Sequence, residues 1–144
     1  MPELNKAYES LDERFKPIVL KILVALEEKG YVPMVVEGRR TVEQQRKKVK
    51  DGVSTTMKSY HLTGLAVDIC DRRHMWNIPL NHDFWYDYGC IIDEMECDIG
   101  TLRWGGVWDK PSRWDVIEKS RDLDRPYLIN WFFDGAHCEL RLNP

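Results

Sequence analysis

Two short stretches constrain the fold more than anything else in the chain. LAVDIC, residues 65–70, and AHCELRL, residues 136–142, both alternate across two faces, as strands do when one face is buried in a core. In the first, Leu65, Val67 and Ile69 form the apolar row, and Ala66, Asp68 and Cys70 lie opposite. In the second, Cys138, Leu140 and Leu142 face the core while His137, Glu139 and Arg141 face away. An apolar sheet face needs a cover. Leu11, Phe15, Ile18, Val19, Ile22, Leu23 and Leu26 recur at threes and fours and give the apolar stripe of a core-facing first helix that stops at Lys29-Gly30.

The other elements follow from local chemistry. Residues 31–37, YVPMVVE, are apolar and β-branched, and Pro33 places the early part of that strand on a sheet edge. Thr41 followed by Gln44 forms a capping box that starts a helix running to about Lys50, closed by Asp51-Gly52. Loops are expected over 53–60 and 71–82, with a helix over 83–97 carried by Phe84, Tyr88, Ile91, Ile92 and Met95. LRWGGVWDKPSRWD reads as a loop rich in tryptophan and glycine, followed by a short helix over 115–120. A chain of 144 residues and 17.1 kDa has room for one core, so residues 1–144 are expected to form a single domain.

Charge and cysteine usage exclude several classes. A net charge of -3 gives no global basic field for nucleic acid, and the clusters Arg39-Arg40 and Arg46-Lys47-Lys48 read as a solvated helix face. Nothing at Met1-Pro2-Glu3 resembles a signal peptide and no long apolar span follows, so a chain that starts life in the cytoplasm is expected, without stable membrane association. Cys70, Cys90, Cys97 and Cys138 lack metal or redox spacing and read as free thiols.

The chemistry sits in the two strands. His61 and Asp68 are seven apart, an odd separation that puts them on opposite faces of a continuous strand, so they meet only if the chain turns, and Gly64 is the turning point. A carboxylate on so apolar a strand is costly unless it is paired or ligates a metal. From that stretch alone, an ion pair to an arginine and a metal site weigh equally. His137 adds a second histidine on an outward strand face, and two histidines with one carboxylate are a common catalytic zinc set with its fourth position open. Asp134, three before His137 with Gly135 permitting a bend, is placed to act as general base. His74 and His82 fall in an expected loop and read as surface residues, and Cys138 points away from the metal.

Ser59-x-His61-x-x-Gly64-x-Ala66-x-Asp68, followed by Asp134-x-x-His137-x-Glu139, resembles the signature of the M15 zinc peptidases, which include D-Ala-D-Ala carboxypeptidases and dipeptidases and the phage L-alanyl-D-glutamate endopeptidases. Glu37-Gly38-x-Arg40-Thr41 with Gln45, and Arg103-Trp104-Gly105-Gly106-x-Trp108, are similar to two further segments of that family. The resemblance implies one zinc ion on His61, Asp68 and His137, Asp134 as base, and Arg40 as the cation that polarises the substrate carbonyl. It places Ser59, Glu139, Gln45 and Trp104 behind the ligands or along the substrate. A turn hydroxyl for Ser59 and a solvated strand-edge carboxylate for Glu139 stand as the plain alternatives, as does simple packing for Trp104, Trp108 and Trp114. Cobalt, manganese or iron would also suit such a donor set.

The resulting expectation is an α+β domain, helices on a small antiparallel sheet, that hydrolyses the peptidoglycan stem peptide as a phage endolysin. It would act as a monomer with no separate wall-binding module, held in the host cytoplasm until it meets the cell wall. The L-Ala-D-Glu bond is the first choice. A D-Ala-D-Ala carboxypeptidase or dipeptidase is the near alternative, and a zinc-binding domain without turnover the distant one. Val107 stands where the endopeptidases tend to have aspartate, and residues 109–133 form a longer segment than that family suggests. Both bear on which bond is cut.

Overall fold

The structure, a computed structural model, describes residues 2–54, 56–108 and 110–144. Four strands, β1 (Pro33–Glu37), β2 (Ala66–Asp71), β3 (Gly100–Trp104) and β4 (His137–Leu142), pair antiparallel in the order β1-β2-β4-β3. The helices are α1 (Lys6–Glu9), α2 (Lys16–Glu28), α3 (Val42–Lys50), α4 (Asp83–Glu94) and α5 (Arg113–Asp122). This is the expected α+β arrangement. No helix among the described residues is long and apolar enough to cross a membrane.

The core forms where the two alternating strands require it. Val67, Ile69, Cys138 and Leu140 meet Val19, Ile22, Leu23 and Leu26 of α2 and Phe84, Tyr88, Ile91 and Ile92 of α4. Each large side chain taken fully out of water contributes about 1.5–3 kcal/mol. Truncating one, as in Leu23→Ala, would cost about 2–5 kcal/mol.

Several boundaries differ from the sequence expectation. Leu11 and Phe15 are buried, but α2 begins only at Lys16; Pro17, whose missing N–H costs nothing in a first turn, marks the start, and a turn carries the two earlier residues into the core. The one-turn α1, capped by Asn5 accepting from the Tyr8 amide, is too short to show periodicity. α3 forms as expected, with both halves of the Thr41–Gln44 box made at 3.1 and 2.9 Å. α4 ends at Glu94 rather than near Cys97, because Met95 turns extended. The first part of the expected tryptophan-rich loop belongs to strand β3, and α5 is longer than 115–120 at both ends. β3 was hidden because Thr101 and Arg103 lie on the face away from the helices and Gly100 has no side chain to show the alternation.

One irregularity serves the site. Along the β1–β2 ladder, Val35 faces Ile69 but Glu37 faces Asp68, so β1 spends one extra residue there, a β-bulge. Without it, Glu37 would sit opposite Val67 on the core side. With it, Glu37, Asp68 and His137 form one row across three strands.

Candidate metal centre

Each of the three donors is held by a different device. Asp68 is set by its strand, directly opposite His137. His61 rides on a 3-10 turn, Tyr60–Thr63, whose start is capped by Ser59 accepting from the His61 amide at 3.2 Å. That turn ends at Gly64, with φ +74, where an added Cβ would sit 2.7 Å from the Asp12 amide nitrogen. Only glycine closes this turn without strain. His61 Nδ1 then donates to the Gly38 carbonyl at 2.7 Å, which leaves Nε2 facing Asp68 Oδ1 at 3.5 Å. His137 is the mirror case: Nε2 meets Glu139 Oε1 at 2.8 Å and Nδ1 faces Asp68 Oδ1 at 3.5 Å.

A donor set of this kind fits a small tetrahedral cation. The donor atoms of His61, Asp68 and His137 lie within 4.8 Å of one another, and all three residues are buried. A distance of 3.5 Å is too long for a good hydrogen bond, and His61 Nε2 and Asp68 Oδ1 have no hydrogen-bond partner in the structure. Leaving buried polar atoms unmade costs about 1–3 kcal/mol each. Tetrahedral zinc with bonds near 2.0–2.1 Å spaces its ligands about 3.3 Å apart, close to the 3.5 Å from each imidazole nitrogen to Asp68 Oδ1. The other ring nitrogen of each histidine is bound as metal-ligating histidines require, one by a backbone carbonyl and one by a carboxylate.

Three further groups surround the donors. Arg40 is clamped by Glu37 through Nε and Nη2, the latter at 2.9 Å, and donates from Nη1 to Gln45 Oε1 at 2.8 Å. Nη2 also lies 3.7 Å from Asp68 Oδ2. Burial pulls the guanidinium down, but the Glu37 carboxylate outweighs it and the charge is secure. Gln45, fully buried, spends its amide on Ser54 Oγ and the Thr56 carbonyl, and so ties Arg40 to the loop that leads into the His61 turn. Asp134 Oδ2 lies 3.9 Å from His137 Nδ1 on the turn before β4.

That turn explains the tryptophan-glycine segment. The Trp104 indole donates to the Gly135 carbonyl at 2.7 Å and the Tyr88 hydroxyl to the Ala136 carbonyl at 2.9 Å. Gly105 accepts from the Asp134 amide, donates to the His137 carbonyl, and leaves no room for a Cβ, which would meet the Asp134 carbonyl at 2.2 Å. Trp104, 2% exposed, is therefore a support beneath Asp134 and His137 and not a wall of the cleft. Trp114 packs on it at 5.1 Å between ring centres. Trp108 does reach the cleft, its ring 5.4 Å from that of His137.

These carboxylates and histidines set one another's charge. Burial works to raise the Asp68 carboxyl, but the two histidines against it hold it well below the usual range. Burial pushes Asp134 up to about 6, helped by the negative Asp68. Burial would lower His137, but Asp68 and Glu139 push it up to about 10. A cation at the three donors inverts this logic, since ligation requires neutral imidazole and a positive ion lowers a carboxyl beside it.

The sequence model of the phage L-alanyl-D-glutamate peptidase family matches residues 4–141. The chain belongs to that family. An L-alanyl-D-glutamate peptidase of Listeria phage A118 is 41% identical over 58 residues, which are 40% of this chain and 21% of that protein, so the match spans about a fifth of the relative's length. Among solved structures, the L-Ala D-Glu endopeptidase ChiX of Serratia marcescens superposes with a TM-score of 0.54 at 22% identity, over 94% of this chain and 84% of that one. It shares the fold. The D,D-pentapeptidase VanY of a VanB-type vancomycin resistance cassette, in complex with Zn(II), gives a TM-score of 0.45 at 18% identity, over 97% of this chain and 79% of that one.

Within this member of the peptidase family, all nine residues singled out from sequence lie in or directly behind one cleft. His61, Asp68, His137, Asp134 and Arg40 surround a common point, while Gln45, Ser59, Glu139 and Trp104 support them. Glu139 is buried against His137, which removes the solvated strand-edge alternative. Ser59 is the turn hydroxyl, capping the His61 turn. His74 is exposed and His82 caps α4 by accepting from the Phe84 amide at 3.0 Å. Sequence reasoning missed Glu37 as the clamp on Arg40 and Gly38 as the carbonyl under His61. The clamp depends on the β1 bulge, which has no signal in the residue pattern.

Proposed function

We propose that the chain is a zinc peptidase of the peptidoglycan stem peptide that hydrolyses the L-Ala-D-Glu bond, serving a phage in host lysis, inside the host first and on the cell wall at the end. The observation that carries this reading is the buried donor set His61, Asp68 and His137, with orphaned atoms on two of them and Asp134 beside them. When bound, the ion supplies Lewis acidity toward the scissile carbonyl and makes water a usable nucleophile at neutral pH.

The chain's own groups do the rest. The cleft, about 380 Å³, receives an extended peptide between Tyr60, Trp108 and Phe132. Asp134 takes a proton from the attacking water as the new C–O bond forms, and returns it to the D-glutamate nitrogen as the C–N bond breaks. Arg40, which lines the cleft, keeps one N–H on each terminal nitrogen beyond its bonds to Glu37 and Gln45 and supplies positive charge to the oxygen that gains charge. Because Glu37 and Gln45 fix the guanidinium beforehand, no reorganisation is needed at the moment of reaction. The catalytic unit is monomeric, takes peptidoglycan as its partner, and has no use for nucleic acid.

The test is digestion of diaminopimelate-type peptidoglycan by the zinc-loaded protein, with products read by mass spectrometry. Stem peptides beginning at D-glutamate, lost in Asp134→Asn with the metal still bound, are expected, with a fall in rate of about 10²–10⁴-fold. Release of D-alanine alone would make it a carboxypeptidase, and no Asp134-dependent product would reduce it to a zinc-binding domain.

A further inference from the structure

The cleft is not symmetric about the donor set. At one mouth, Trp76 and Phe132 stand 58% and 60% exposed with Val53 between Arg40, Lys48 and Asp134, and the cations there both face Glu37. At the other mouth, Arg141 and Lys58 line the wall with Tyr60. The carboxylate on that side is Glu139, which is buried and shared between His137 at 2.8 Å, Arg141 Nε at 3.1 Å and Arg103 Nη1 at 3.7 Å. Arg141 is thus anchored at Nε, yet its side chain remains 42% exposed and turned to the cleft. In a chain of net charge -3, the first mouth sets Arg40 and Lys48 against Glu37, Asp68 and Asp134, whereas the second gathers Lys58, Arg103 and Arg141 around the single carboxylate Glu139.

The substrate implied by the proposed function, on which this inference rests, has the matching asymmetry. Toward the glycan side the scissile bond has only an alanine methyl and a neutral lactyl link. On the other side D-glutamate continues through its γ-carboxyl, so its α-carboxylate is a free anion on the carbon that bears the leaving nitrogen. We propose that Arg141, seconded by Lys58, reads this α-carboxylate, which sets the direction of the peptide in the cleft and makes the enzyme selective for D-glutamate over its α-amidated form. An arginine held at Nε presents its two terminal nitrogens as a fork that suits a carboxylate and offers a carboxamide no charge to pair with.

The experiment uses the zinc-loaded full chain and two synthetic muropeptides that differ only in D-glutamate α-carboxylate against α-carboxamide. Wild type is expected to favour the carboxylate by about 10- to 100-fold in kcat/KM, chiefly through KM. Arg141→Gln should bring that ratio to within about threefold of one, and Arg141→Lys should restore part of it. The ratio separates reading of the substrate from a merely structural role through Glu139, which would slow both peptides alike, and zinc content of each variant reports any loss of the ion. Equal rates for the two peptides in wild type, or an undiminished preference in Arg141→Gln, would overturn the inference while leaving the proposed function standing. Cleavage of neither peptide by wild type with its zinc bound would overturn both.

Discussion

The two histidines of the centre do the same job by opposite means. His61 sits on an irregular turn, presents Nε2, and is steadied by a backbone carbonyl, Gly38. His137 sits on a regular strand, presents Nδ1, and is steadied by a side chain, Glu139, two residues on along the same face. The first is therefore fixed by the chain path around it and the second by a pair of residues that can be exchanged. A backbone support is neutral and permanent. A carboxylate support adds negative charge to the imidazole and raises its strength as a ligand, at the cost of burying Glu139 among Arg141 and Arg103.

The bluntest way to break the comparison is to remove each ring in turn. His61→Ala and His137→Ala should both abolish zinc binding and reduce hydrolysis to the level of protein stripped with a chelator. Metal content after dialysis, measured beside activity, checks this. If either variant kept stoichiometric zinc with wild-type affinity, the assignment of that histidine as a ligand would be wrong. A finer cut is Glu139→Gln, which keeps an acceptor for His137 but removes the charge. Zinc affinity should fall by about 10- to 100-fold, with the fold intact by circular dichroism. No equivalent side-chain substitution exists for His61, because its support is the chain itself.

The same contrast decides what could be read from the residues alone. His137, Glu139 and Arg141 declared themselves as one face because strand alternation has a period of two and needs no tertiary information. Asp68 did so for the same reason. His61 was legible only as a candidate that needed a turn at Gly64, and its true partner, a carbonyl, carries no residue identity at all. Glu37 opposite Asp68 depends on a bulge, and a bulge moves register without changing composition. Trp104 shows what a motif leaves open. Its place there allowed a position along the substrate, behind the ligands or in plain packing, and an indole whose N–H reaches the Gly135 carbonyl from within the core acts on the site only through the backbone. Regular elements expose their faces in sequence, whereas irregular ones show only their glycines and caps.

If the His61 support is the chain path, then perturbing that path should act on the metal without touching a ligand, and Gly64 is the place to do it. At φ +74 any other residue bears a strained backbone, and the new Cβ would meet the Asp12 amide nitrogen, which itself donates to the Gly64 carbonyl at 3.0 Å. Gly64→Ala should cost about 1–3 kcal/mol of stability by denaturant midpoint. Because the Gly64 amide also closes the turn onto the His61 carbonyl at 3.3 Å, the loss should be shared with zinc affinity, in a smaller measure than in Glu139→Gln. A Gly64→Ala protein that is destabilised but binds zinc as wild type would show that His61 is steadied by Gly38 alone and that the turn merely connects. Reduced zinc affinity with the fold retained would place the turn in the support, and the difference between the two histidines would then be one of backbone against side chain throughout.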